Sequence, residues 1–89
     1  MLDLPLPAET ARDALRRAST SLDVAELTGS PFAMSQALAD VARCYRDLGA
    51  EISAEQHFES AVRWAQFAGS ADLLAELMCE AADAAVRVA

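Results

Sequence analysis

The side chains best suited to covalent or metal chemistry in this 89-residue chain are Cys44, His57 and Cys79. A thiol nucleophile needs a base within hydrogen-bond reach and an exposed, electropositive pocket. His57 is followed by Phe58 and stands one turn before Ala61, on a stretch with little polar face, which makes it a packed or capping histidine. The three residues fall on three different predicted helices, and their spacing has nothing in common with a zinc motif. No catalytic residue, metal or cofactor is therefore assigned. Two well-separated cysteines are expected to be reduced and partly buried. Arg43 and Arg46 could bind a ligand carboxylate through paired N–H donors, or pair internally with Asp40, Asp47 or Asp83.

The charge balance narrows the partners. The net charge is −7, and all seven basic residues are arginine. Residues 49–89 carry two Arg against seven Asp or Glu, so the second half is the more acidic. A nucleic-acid binder needs a basic face to displace counterions, and none is present in the pattern. No apolar run approaches the roughly 20 residues that span a bilayer, and the start has no basic n-region followed by a long apolar run. A cytoplasmic protein is expected, and the absence of Lys and Asn beside abundant Ala reads as the codon bias of a GC-rich bacterial genome. One domain of this size buries only about 60–65% of its unfolded surface.

These residues must be positioned by helices, because no segment alternates with period two for long enough to be a strand. An extended arm is expected over residues 1–6, since Pro5 and Pro7 push the residues before them out of the helical region. The spacing of Ala11, Ala14, Leu15, Ala18, Leu22 and Ala25 predicts a first helix over 7–27. Gly29 can take the left-handed position after it, Ser30 can cap the next helix and Pro31 can open it. Met34, Leu38, Val41, Tyr45 and Leu48 predict a second helix over 31–48, closed by Gly49. Ser53 to Gln56 reads as a capping box for a third helix over 54–68. That helix is apolar on two stripes, one through Ala54, Phe58, Ala61 and Ala65 and one through His57, Ala61, Trp64 and Ala68, so it should lie between neighbours. Gly69-Ser70 repeats the earlier turn, and a fourth helix follows over 71–88. Short turns make sequential helices antiparallel.

The chain also echoes itself at an offset of forty residues. Ala14, Ala18, Leu22 and Ala25 align with Ala54, Phe58, Val62 and Ala65, and Gly29-Ser30 with Gly69-Ser70. Met34, Ala37, Leu38, Val41, Ala42 and Tyr45 align with Leu74, Leu77, Met78, Ala81, Ala82 and Ala85. A period in this range is the signature of a stacked helical repeat. Within it, Leu38, Ala42, Tyr45, Gly49, Ala54, Phe58 and Ala61 resemble the tetratricopeptide-repeat signature, in the roughly forty-residue variant common in bacterial regulatory proteins. The usual Trp is replaced by Leu38, the usual Gly by Ala42, and the closing proline is missing. The match covers one complete repeat, about 35–68, between two half repeats.

The resemblance implies an all-α, right-handed α-α superhelix whose first helices line a concave peptide groove. Its groove positions fall on Gln36, Ala39, Arg43 and Arg46 in the second helix and on Glu76, Cys79, Asp83 and Arg87 in the last. Four helices offer limited core volume, so Phe32, Trp64 and Phe67 are either surface aromatics that anchor an interface or, for Trp64 and Phe67, side chains that close the third helix onto the first and last. The last helix is apolar beyond what one neighbour covers, whereas a solenoid needs polar end faces. A homodimer through it, with Leu74, Leu77 and Met78 central and Trp64 and Phe67 as further contacts, is expected. The expected function is a small protein-interaction module binding a peptide or helix of a partner. A peptide-sensing fragment of a larger regulator and a chaperone-like escort are the alternatives.

Overall fold

The computed structural model describes residues 7–89, with side-chain surroundings from Thr10 onward. Among these residues it is all helical, with α1 at Pro7–Thr28, α2 at Pro31–Asp47, α3 at Glu51–Ala68 and α4 at Ala71–Val88. Turns of two or three residues join the helices, so successive helices run antiparallel, each packed on the next, and the α2–α3 contact is the most extensive. The arm expected over residues 1–6 lies outside the described residues.

The same turn occurs twice, forty residues apart. Gly29 (φ +69°) and Gly69 (φ +73°) take the left-handed conformation that side-chain-bearing residues avoid. Their N–H groups donate to the carbonyls of Ala25 and Ala65, each at 3.1 Å. Ser30 Oγ then accepts from the Ala33 N–H at 3.2 Å, and Ser70 Oγ from the Leu73 N–H at 3.4 Å. Each serine thereby satisfies one of the orphan donors of a helix start.

The turn between α2 and α3 differs from expectation. α3 begins at Glu51, not at Ala54, and the capping box at Ser53 does not form: the cap is Ala50, with no side-chain hydrogen bond. The physical reason lies in the backbone. The Ala50 N–H donates to Tyr45 C=O at 2.9 Å and the Gly49 N–H to Arg46 C=O at 3.0 Å, which closes α2 as a Schellman motif. The left-handed Gly49 (φ +80°) turns the chain so sharply that Ala50 C=O already accepts from the Ala54 N–H at 3.0 Å. Ser53 is thus an internal helical residue.

The core is built on close approach. Ala42, Ala61 and Ala65 are fully buried, and Ala39 and Ala54 are 1% exposed. Small residues at these positions let the α2 and α3 backbones come together, and Phe58, itself fully buried, fills the space beside Ala42, Ala54 and Ala84. A second cluster joins Ala25 of α1, Met34, Ala37 and Leu38 of α2, Ala61 and Ala65 of α3 and Leu77 of α4. The backbones approach closely enough that the Ser35 hydroxyl, fully buried on α2, donates to Ala61 C=O of α3 at 2.8 Å. Ser35 was not singled out by sequence. Its signal is a lone hydroxyl at a position where the echo has Ala75.

α3 therefore lies between α2 and α4, as its two apolar stripes predict, whereas among the described residues α4 packs chiefly on α3. Burying Phe58 stabilises the fold by about 1.5–3 kcal/mol from transfer alone. Phe58→Ala also leaves a cavity and is expected to cost about 3–5 kcal/mol, a large share of the stability of a domain this small. Urea unfolding of the variant measures this, and a loss below about 1 kcal/mol would contradict the packing described.

Candidate interaction surface

A polar cleft of about 250 Å³ lies between α2 and α4, lined by Gln36, Ala39, Asp40, Arg43, Leu73 and Glu76. Four of the expected groove residues meet there: Gln36, Ala39, Arg43 and Glu76. Gln36 is exposed, while Ala39, 1% exposed, is floor and offers a ligand almost no surface. Arg46 and Asp83 are not in the cleft lining. The Arg46 guanidinium lies 5.8 Å from the centre of the Phe58 ring and 3.7 Å from Glu80. Asp83 pairs with Arg87 one turn along α4 at 3.2 Å, and Cys79 is exposed on the same helix.

Arg43 is committed to the protein itself. Its Nε donates to Glu80 Oε1 at 3.0 Å and its Nη2 to Glu80 Oε2 at 2.6 Å, the fork geometry in which a guanidinium meets a carboxylate most strongly. Nη1 donates to Asp40 at 2.9 Å, and Glu76 lies 4.0 Å from Nη2. The hydrogen bond to Glu80 holds the Arg43 pKa above its usual value, against partial desolvation. The same bond, with partial burial working against it, holds the Glu80 carboxyl below the usual glutamate range. Of the internal partners expected for the arginines, Asp40, Asp47 and Asp83, only Asp40 is seen to pair with them, and the main partner is Glu80, which was not expected. Its signal was the echo: Glu80 and Asp40 occupy the same repeat position, and both hold Arg43.

The structure does not bring Cys44 and His57 into a hydrogen bond with one another. The His57 ring stacks at a tilt on Tyr45, 5.0 Å between centroids, and its Nδ1 lies 2.7 Å from Ser53 C=O. A carbonyl can only accept, so Nδ1 carries the proton. Burial pushes the Cys44 thiol up, and the charges of Asp47 and Asp40 add to this. Both cysteines are free; Cys44 is half-buried, while Cys79 is exposed rather than partly buried. Among the described residues no group of three or more His, Cys, Asp or Glu side chains is placed to hold a metal ion. No helix among them is long and apolar enough to cross a membrane.

The second surface is the outer side of α3 and α4. A groove of about 480 Å³ runs there, lined by Glu59, Val62, Arg63, Gln66, Met78 and Ala81. Beside it α4 exposes Ala75, Ala82, Ala85 and Val86, with Met78 53% and Val86 75% exposed. Of the residues expected at an oligomer interface, Met78 and Phe67 are exposed, Leu74 and Trp64 are half-buried, and Leu77 is fully buried in the protein's own core. Leu77 is therefore not available to a partner: it turns inward, seven residues before the buried Ala84, on the face that meets α3. Trp64 stacks on Phe67 at 6.1 Å between centroids, and Phe67 projects 77% exposed from the end of α3. Phe32 is likewise exposed at the start of α2.

Glu80→Gln removes a charge-assisted pair that ties α4 to α2 and is expected to cost about 1 kcal/mol at neutral pH. Glu80 has a lower pKa folded than unfolded, so its contribution is complete above the ordinary glutamate range and is lost as pH falls through the depressed value. The stability gap between the natural protein and the variant should close on acidification, and a gap independent of pH would contradict the pairing. Comparison with protein-family models, with curated proteins and with solved structures finds no match for the chain.

Proposed function

We propose that this chain is a tetratricopeptide-like protein-interaction module of bacterial, cytoplasmic type, which docks a helix of a partner protein on the open face of α4. One observation carries the reading. Ser35, Leu38 and Ala42 of α2 are buried under α3, while their echoes on α4, Ala75, Met78 and Ala82, are exposed. The fold thus repeats a helix-binding face and leaves the second copy of it uncovered. Contiguous apolar surface of this kind marks interaction sites in soluble proteins, and repeat arrays use their exposed faces for binding.

The polar cleft is the weaker candidate, because its arginine is already satisfied by Glu80 and Asp40 and its floor is the methyl group of Ala39. A photo-crosslinking residue placed at Met78 in cells is expected to give a discrete adduct with a second protein. The same residue placed at Gln36, in the cleft, is expected to give none. Adducts from Gln36 alone would move the site to the cleft and overturn this reading.

A further inference from the structure

The chemistry of the helix that fits α4 can be read from the contact the protein makes with itself. α2 presents Ser35, Leu38 and Ala42 to its neighbours and flanks this stripe with Arg43, which reaches Glu80 on α4. Forty residues on, α4 presents Ala75, Met78 and Ala82 and flanks them with Asp83. The apolar stripe is kept, while the charge beside it is inverted.

A second copy is the obvious occupant of a half-finished repeat, and the same offset argues against it. The position corresponding to Glu80 in a copy stacked end to end is Asp40. Where Arg43 meets Glu80 within one chain, Asp83 would meet Asp40 between two chains, carboxylate against carboxylate. Each already has a cation on its own helix, Arg87 for Asp83 and Arg43 for Asp40, but these are exposed pairs, with side chains 48–59% exposed except Arg43 at 32%. Such pairs are screened and do little to relieve a facing charge. Like charges placed across an interface suppress the wrong partner.

The surroundings are acidic on balance, although Arg87 stands beside Asp83 on the α4 bank. On a helical projection Asp72 and Glu76 lie beyond Cys79 on the same bank of the stripe as Asp83. The α3 bank carries Glu55 and Glu59, with Arg63 among them. An apolar channel between acidic banks is complementary to a helix with an apolar face and basic flanks.

We infer that the open face of α4 takes a basic amphipathic helix of another protein, its small and apolar residues seated on Met78, Ala82 and Ala85 and an arginine or lysine set against Asp83. The inference rests on the helix-docking reading above and adds the partner's charge to it.

The test uses the full chain and two labelled synthetic helices. Both carry the buried face of α3, the residues Ala54, Phe58, Ala61 and Ala65 at their natural spacing. One has arginines on its flanks and the other glutamates. In fluorescence anisotropy at low salt the arginine helix is expected to bind at least about fivefold more tightly. The difference should vanish near ~1 M salt. Asp83→Arg should reverse the preference, and Met78→Asp should abolish binding of both helices. Asp83→Arg also replaces the carboxylate facing Asp40 of a second copy by a cation, so this variant should self-associate in sedimentation while the natural chain stays monomeric. Equal binding of the two helices that is lost in Met78→Asp would overturn the charge inference and leave the docking face standing. Binding of neither helix would overturn both. Self-association of the natural chain would make a second copy the occupant and overturn the proposal.

Discussion

Everything in this fold depends on how closely α2 and α3 approach. Alanines at 39, 42, 54, 61 and 65 remove the side-chain bulk that would hold two helices apart, and all five are buried in the resulting contact. Interiors of this density tolerate no orphaned polar group, and Ser35 satisfies the condition by donating to Ala61 C=O across the contact. Phe58 then fills the volume beside the alanines. The α2–α3 pair is the centre of the array, with α1 packed on α2 and α4 packed on α3.

That geometry also determines what the charged residues can do. α2 and α4 both rest on α3, which brings Arg43 within reach of Glu80 although the two are 37 residues apart in sequence. The Arg43 guanidinium, instead of facing a ligand, is drawn into a fork with a carboxylate of its own chain. The arginine of the polar cleft is taken up by carboxylates of its own chain, and the apolar surface that remains unpaired is on the far side of α4. The binding candidate therefore moves from the arginines to the methionine and alanines of the last helix.

Much of the fold was legible because local signals and the period agree. Gly29-Ser30 and Gly69-Ser70 marked two turns whose bonds are the ones their residue types favour, and the two stripes of α3 announced a helix with neighbours on both sides. The capping box at Ser53 was misread because a backbone motif after Gly49 satisfies the helix ends without any side chain, and such a motif leaves no polar residue to see. Leu77 was placed on the wrong face because α4 is apolar through most of its circumference, so periodicity alone does not tell the buried arc from the open one. Ser35 and Glu80 depend on which helices touch, which no local pattern encodes. For both, the forty-residue echo held the clue, in the contrast of Ser35 with Ala75 and the match of Glu80 with Asp40.

α4 is thus the helix the fold leaves half-finished: Leu77 and Ala84 anchor it to α3, and among the described residues nothing packs on the opposite arc. Helices packed on one side open locally at lower free energy than helices packed on two. Amide hydrogen exchange on dilute protein measures that difference residue by residue. The account predicts that amides at 58–65 of α3 exchange slowest and that those at 81–88 of α4 exchange much faster. Equal protection of the two segments in the isolated chain would mean that the outer face of α4 is already covered, and would contradict the account.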